Sequence, residues 1–133
     1  KDILLRADRI RISQVISNLL SNAIKFSPGG TISIVSDLKS TDKDKNPIKD
    51  EAIINIKDDG NGIDEEILPK LFSKFATKSF SGTGLGLFIC KSIIEAHGGN
   101  IWAENNSNGK GATFSFTLPL DKISREVGIG MIK

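Results

Sequence analysis

The chain has 133 residues, 38% of them hydrophobic, which is enough for one ordinary core and too few for two, so a single domain is expected. Its 18 basic and 16 acidic side chains leave a formal charge of +2, which argues against a dedicated nucleic-acid surface or direct contact with an anionic membrane. The lone cysteine, Cys90, has no disulfide partner in the chain and sits in an apolar helical pattern, so it reads as a buried small hydrophobe in a reducing, cytoplasmic compartment. No run of about 18 apolar residues and no signal-peptide pattern occurs. The chain begins at Lys1 rather than Met and reads as a piece of a longer protein, soluble or membrane-anchored.

The first element runs from Asp8 to about Phe26. Asp8 is an N-cap, and Ile12, Val15, Ile16, Leu19, Leu20, Ala23 and Ile24 recur at helical spacing until Pro28-Gly29-Gly30 ends the pattern. Thr31 to Leu38 alternates as a strand; the polar run Lys39 to Glu51, with Pro47, reads as a loop; and Ala52 to Lys57 is a second strand that pairs with the first. Glu65 to Phe75 forms short helical turns around Pro69, followed by a small polar loop, Phe75 to Gly82. Leu85 to His97 is a helix stopped by Gly98-Gly99. The strands Asn100 to Glu104 and Gly111 to Leu118 flank the turn Asn105 to Gly109, and after Pro119 no strong pattern remains.

Two glycine-rich segments carry the chemistry: Asp58-Asp59-Gly60-Asn61-Gly62 and Gly82-Thr83-Gly84-Leu85-Gly86-Leu87. Bare backbone lets a ligand approach the N–H groups, and the second segment runs into a helix N-terminus, where free donors and positive dipole suit a phosphate. On the first helix, at about 100° per residue, Asn18, Asn22 and Lys25 fall in one narrow arc beside the apolar stripe. An Asn22 oxygen suits Mg²⁺, and Lys25 suits phosphate charge. The same arc also reads as a polar edge that simply faces water, and Asp58 as a turn residue before Gly60. His97, at a helix end, reads as a hydrogen-bonding cap rather than a catalyst, and Trp102 as strand packing.

The order of these parts resembles a known family. Asn18-Leu-Leu-Ser-Asn22-Ala-Ile-Lys25-Phe26 resembles the N box of the sensor histidine kinase ATP-binding domain, within the superfamily that includes gyrase, the Hsp90 chaperones and MutL. Asp58-x-Gly60-x-Gly62 resembles the first glycine box, Leu71-Phe72-x-x-Phe75 the F box, Gly82 to Leu87 the second glycine box, and Gly109-Lys110-Gly111-Ala112-Thr113 the last glycine turn. The likeness spans about Ile3 to Leu120, giving an ATP-binding domain over residues 1–120 and a tail over 121–133.

The resemblance implies a two-layer α/β sandwich of the Bergerat type, with a mixed, mostly antiparallel sheet, helices on one face, and ATP between the helices and a lid formed by Phe75 to Gly82. It assigns Asp58 to the adenine amino group with Gly62 and Thr113 beside it, Asn22 to Mg²⁺ with Asn18 adjacent, and Lys25 with the amides of Gly82, Thr83, Gly84, Leu85, Gly86 and Leu87 to the phosphates. Asn18, Asn22 and Lys25 are the catalytic set. Phe26, Gly60, Ile63, Phe75 and Lys78 complete the nucleotide contacts. The lid departs from many relatives in holding Lys74 and Lys78 but no arginine. The implied activity is transfer of the γ-phosphoryl group of Mg·ATP to a histidine on a separate dimerisation domain, and onward to a response regulator receiver domain. Nothing in Lys1 to Asp8 is that histidine. The alternatives are an inactive nucleotide-binding module and a hydrolytic ATPase; hydrolytic relatives carry a Glu where this chain has Asn18, which lacks a proton-accepting carboxylate.

Overall fold

The structure, a computed structural model, describes residues 3–4, 8–40, 50–74, 85–119 and 131–132. Its elements are β1 (Ile3–Leu4), α1 (Arg9–Phe26), β2 (Ile32–Ser40), β3 (Asp50–Asp58), a 3-10 turn (Leu68–Lys70), α2 (Gly86–Ala96), β4 (Ile101–Asn105), β5 (Ala112–Pro119) and β6 (Met131–Ile132). Helix α1 starts as the sequence predicts: Asp8 is extended, and its Oδ1 accepts from the Arg11 N–H at 3.1 Å, satisfying one of the free donors of the first turn. The polar run between β2 and β3 is shorter than its composition suggests. The ladder continues through Ser40 and Asp50 because backbone pairing extends over residues whose sequence shows no alternation.

The four main strands lie in the order β2-β3-β5-β4, every described pairing antiparallel. The sequence expectation of a mixed sheet is refined accordingly. Strands β3 and β4, linked through α2, do run in the same direction, but β5 lies between them and pairs with both, so the crossover makes no parallel ladder. Strands β1 and β6 form a separate two-stranded ladder, Ile3 opposite Ile132 and Leu4 opposite Met131, where the sequence showed no pattern. Two residues are too few to carry one.

Helices α1 and α2 cover one face of the sheet. The core joins Ile12, Val15, Leu19 and Ala23 of α1, Cys90, Ile93 and Ile94 of α2, Ala52 and Ile56 of β3, and Phe114, Phe116 and Leu118 of β5. Those strand positions share a parity, as one face of a pleated sheet requires. On the other face the buried hydroxyls are all partnered: Ser115 donates to Asn55 Oδ1, and Thr117 Oγ1 accepts from the Asn100 N–H. Trp102, in register with Ser115, packs on that face, away from the helices.

His97 caps α2 and fastens it to α1. Its Nε2 accepts from the Asp8 N–H at 3.1 Å, so Nδ1 carries the proton that is donated to the Ile93 carbonyl at 2.8 Å. Both ring nitrogens serve structure. Among the described residues no helix is long and apolar enough to cross a membrane.

The core makes an uneven demand on side chains. Phe116→Ala, at a fully buried site on the central strand, should cost about 3–5 kcal/mol, whereas Ile34→Ala, at a side chain 53% exposed on β2, should change stability little; urea titration of both variants measures the contrast.

Candidate functional site

Strand β3 delivers Asp58 to the end of the sheet. Its alternation places Asp58 on the helix-covered face with Ile56, and the side chain is only 2% exposed. Oδ1 accepts from the Gly60 N–H at 2.9 Å and from the Ala112 N–H at 3.3 Å, while Oδ2 has no hydrogen-bond partner among the described residues.

Bare backbone makes this arrangement possible. A Cβ on Gly111 would stand 2.0 Å from the Asp58 carbonyl oxygen and 2.7 Å from Oδ1, and this residue holds φ +79°. A Cβ on Gly60 would stand 2.2 Å from the Phe26 carbonyl oxygen. Neither position admits a side chain without backbone movement.

The glycine segment is fastened from both sides. Towards α1, Asp59 Oδ1 accepts from the Thr31 N–H at 2.8 Å and the Ser27 hydroxyl at 3.1 Å. The Thr31 amide is the main influence holding the Asp59 carboxyl below its ordinary value of 3.8; Ser27 and the charge of Lys110 act in the same sense, against a smaller opposing effect of desolvation. Towards β4, Asn105 Oδ1 accepts from the Ile63 N–H at 2.7 Å and its Nδ2 donates to the Ile63 carbonyl at 2.9 Å. Asn106 Nδ2 donates to the carbonyls of Asp58 and Lys110, both at 2.8 Å, and its Oδ1 accepts from the Thr113 hydroxyl at 2.6 Å. Sequence reasoning saw in these asparagines only a turn. The available signal was two adjacent carboxamides before a Gly-x-Gly turn.

Helix α1 borders the site with its polar arc. Asn18 is half-buried and donates through Nδ2 to the Cys90 sulfur at 3.6 Å, tying α1 to α2. Burial pushes the Cys90 thiol up, partly offset by the Asn18 contact, which makes it an inert core group. The Asn22 carboxamide, half-buried one turn further on, has no hydrogen-bond partner among the described residues. Lys25 places Nζ 5.5 Å from the centre of the Phe26 ring, which is itself 42% exposed. Ile63, Leu87 and Phe72 each pack against the core, and the Phe72 ring meets Phe114 edge-on at 6.3 Å.

At the far border, Leu85 is the N-cap of α2, Gly86 its first helical residue, and a Cβ on Gly86 would meet nothing within 4 Å. Packing does not require that glycine. Phe75, Lys78, Gly82, Thr83 and Gly84 lie outside the described residues. Thr113 is not brought beside Asp58. It stands in register with Lys57 and Glu104 on the face away from the helices, because the residue across from Asp58 on β5 is Ala112. The row across the sheet at this end is Ile32, Asp58, Ala112 and Asn105.

A two-layer sandwich whose glycine-lined end holds a buried carboxyl and a helix N-terminus defines a nucleotide-binding domain. The chain belongs to the histidine kinase-, DNA gyrase B- and HSP90-like ATPase family, whose model matches residues 7–122. It is 39% identical over 126 residues to the sensor histidine kinase WalK of Bacillus subtilis, covering 90% of this chain and 19% of that protein. Among solved structures it resembles the nucleotide-free catalytic domain of histidine kinase ThkA, at 42% identity and a TM-score of 0.71, over 86% of this chain and 70% of that one. It also resembles full-length ShkA in complex with AMPPNP, at 26% identity and a TM-score of 0.67, over 82% of this chain and 21% of that one. The chain spans 13–22% of the length of the curated sensor-kinase relatives it matches.

The Asp59 carboxyl sets a pH dependence. Its folded value lies below 3.8, so the unfolded chain binds more protons in that window and stability rises with pH. The contribution should be complete above the ordinary carboxylate value and vanish as pH falls through the lower folded value. Melting temperatures of the parent and Asp59→Asn should therefore differ at neutral pH and converge in acid.

Proposed function

We propose that this domain binds Mg·ATP and transfers the γ-phosphoryl group to a histidine on a separate helical dimerisation domain, from which a response regulator receiver domain takes it, with residues 1–120 as the functional unit and 121–133 as a tail. The observation that carries the reading is Asp58: buried, with one oxygen committed to two backbone amides and the other without a partner among the described residues. An exocyclic amino group satisfies that oxygen, whereas a guanine carbonyl would leave two acceptors facing each other. The AMPPNP complex of ShkA supports an adenine nucleotide here.

The donor set suits a hard cation held mostly by phosphate and water. Asn22 offers an unpartnered carboxamide oxygen, and no group of three or more His, Cys, Asp or Glu among the described residues forms a cage of its own. Asn22 would hold Mg²⁺, which when bound neutralises phosphate charge. Lys25 stands on the same helix edge to meet phosphate oxygens. The N-terminal turn of α2, from Gly86, adds its helix dipole toward phosphate charge. Gly62, Ile63 and Phe26 border the base, and Phe75, Lys78, Gly82, Thr83 and Gly84 complete the lid side. With Asn18 committed to Cys90 and lacking a carboxylate, no side chain on this arc activates water. The chain's task is positioning and charge neutralisation.

Calorimetry with ATP and GTP tests the base assignment. Asp58→Asn, which turns an acceptor into a donor, should weaken ATP binding about 100-fold or more, and equal affinity for GTP in the parent would overturn the adenine reading. Gly86→Ala separates phosphate binding from folding. The alanine meets no atom and favours the helix by up to about 1 kcal/mol, so the melting temperature should hold or rise while phosphoryl transfer falls. Transfer is measured by labelling the histidine of the longer parent protein with γ-labelled ATP. Brisk phosphate release by the domain alone would instead favour a hydrolytic enzyme, and binding without labelling an inactive module.

A further inference from the structure

The segment Asp58 to Ile63 holds two glycines and lies outside any ladder beyond Asp58, so its own backbone gives it little rigidity. Besides the Asp59 contacts to Thr31 and Ser27, its conformation is supplied from the end of β4 and the turn that follows it. Asn105 shares the helix-covered face with Asp58 and Ala112, in the same row, and its carboxamide copies a neighbouring strand: Oδ1 takes the Ile63 N–H and Nδ2 serves the Ile63 carbonyl. Asn106, the next residue, commits both hydrogens of Nδ2 to the Asp58 and Lys110 carbonyls. Its Oδ1 is held in place by the Thr113 hydroxyl. Two consecutive carboxamides thus grip the first and last residues of the segment.

The chemistry requires asparagine. An aspartate in place of Asn106 would keep the acceptor and lose both donors; a serine would supply one donor; glutamine is a methylene too long for the same reach. Gly62, at φ +80°, admits the Asn105 grip because a Cβ there would stand 2.8 Å from Asn105 Oδ1.

We infer that Asn105 and Asn106 are positioning residues for nucleotide binding, locking the Asp58–Ile63 segment so that Asp58 Oδ2 stays aimed at the base. Neither acts on the ligand; each acts through Asp58 or Ile63. The inference rests on the nucleotide reading of Asp58. It assigns to the β4–β5 turn a function in affinity beyond that of closing a hairpin.

The test measures Mg·ADP affinity by calorimetry on the whole chain, at a temperature where circular dichroism shows each variant folded. Asn105→Ala and Asn106→Asp should each weaken binding about 10- to 100-fold. Thr113→Val, which keeps shape and strand propensity but releases Asn106 Oδ1, should weaken it about fivefold and remains informative if the asparagine variants fail to fold. Leu118→Ala, at the opposite end of β5 in register with Ala52, is the stability control. It should lower the melting temperature at least as much while binding within about twofold of the parent. Amide exchange at Gly60 to Ile63 should quicken in the first three variants and not in the control. Folded Asn105, Asn106 or Thr113 variants with parental affinity would overturn the inference, as would a control that loses affinity in step with its stability. A parent chain that fails to bind Mg·ADP would instead overturn the nucleotide reading on which the inference stands.

Discussion

The arrangement at this end of the sheet depends on keeping one carboxyl group out of water, with one of its oxygens unpartnered among the described residues. A carboxyl that is 2% exposed is stable only where donors meet it, and Asp58 finds two, the N–H groups of Gly60 and Ala112. Those donors reach it only because Gly111 and Gly60 lack side chains, and because β5 lies alongside β3 in the register that sets Ala112 across from Asp58. Sheet order, glycine placement and the asparagine turn are thus parts of one constraint. Each alone would mean little.

Helix α1 combines a core face with the polar arc that the proposed function assigns to the ligand. Its apolar stripe buries Ile12, Val15, Leu19 and Ala23 against the sheet, and this packing determines where the adjoining arc of Asn18, Asn22 and Lys25 can stand. Asn18 reaches sideways to the Cys90 sulfur and so couples the two helices, while the Asn22 carboxamide, one turn further on, has no hydrogen-bond partner among the described residues. The rotation of the helix about its own axis is therefore held by core side chains, with the chemistry riding on it.

Much of the fold was legible because it rests on local periodicity. The α1 stripe, its Asp8 cap, the stop at Pro28-Gly29-Gly30, and the alternation in β2, β3 and β5 are all properties of neighbouring residues. The order of the glycine motifs pointed to the family whose model matches residues 7–122, and Asp58 is buried at the end of β3. What could not be read was what lies across from what. The insertion of β5 between β3 and β4 leaves no local trace: alternation puts Ala112 and Asp58 each on the core face of its own strand, but only that insertion brings the two strands side by side. Likewise Asn105 and Asn106 have turn composition, and their bonds to Ile63 and Asp58 span 42 and 48 residues of sequence. Long-range partners of polar side chains are invisible to a period.

The position of β5 also governs the order in which the molecule can come together. It is the last strand of the main sheet in the chain and yet sits second from one edge, pairing with β3 along one side and β4 along the other. As the chain emerges from a ribosome, β2 and β3 can form a hairpin at once, but β4 has no strand to join and the helices have half a sheet to cover. Phe114, Phe116 and Leu118 of the buried face all lie on this last strand. Assembly of the sheet therefore waits for β5, and the contacts that complete it are those between residues far apart in sequence, the kind that fold slowly and leave apolar surface exposed in the meantime.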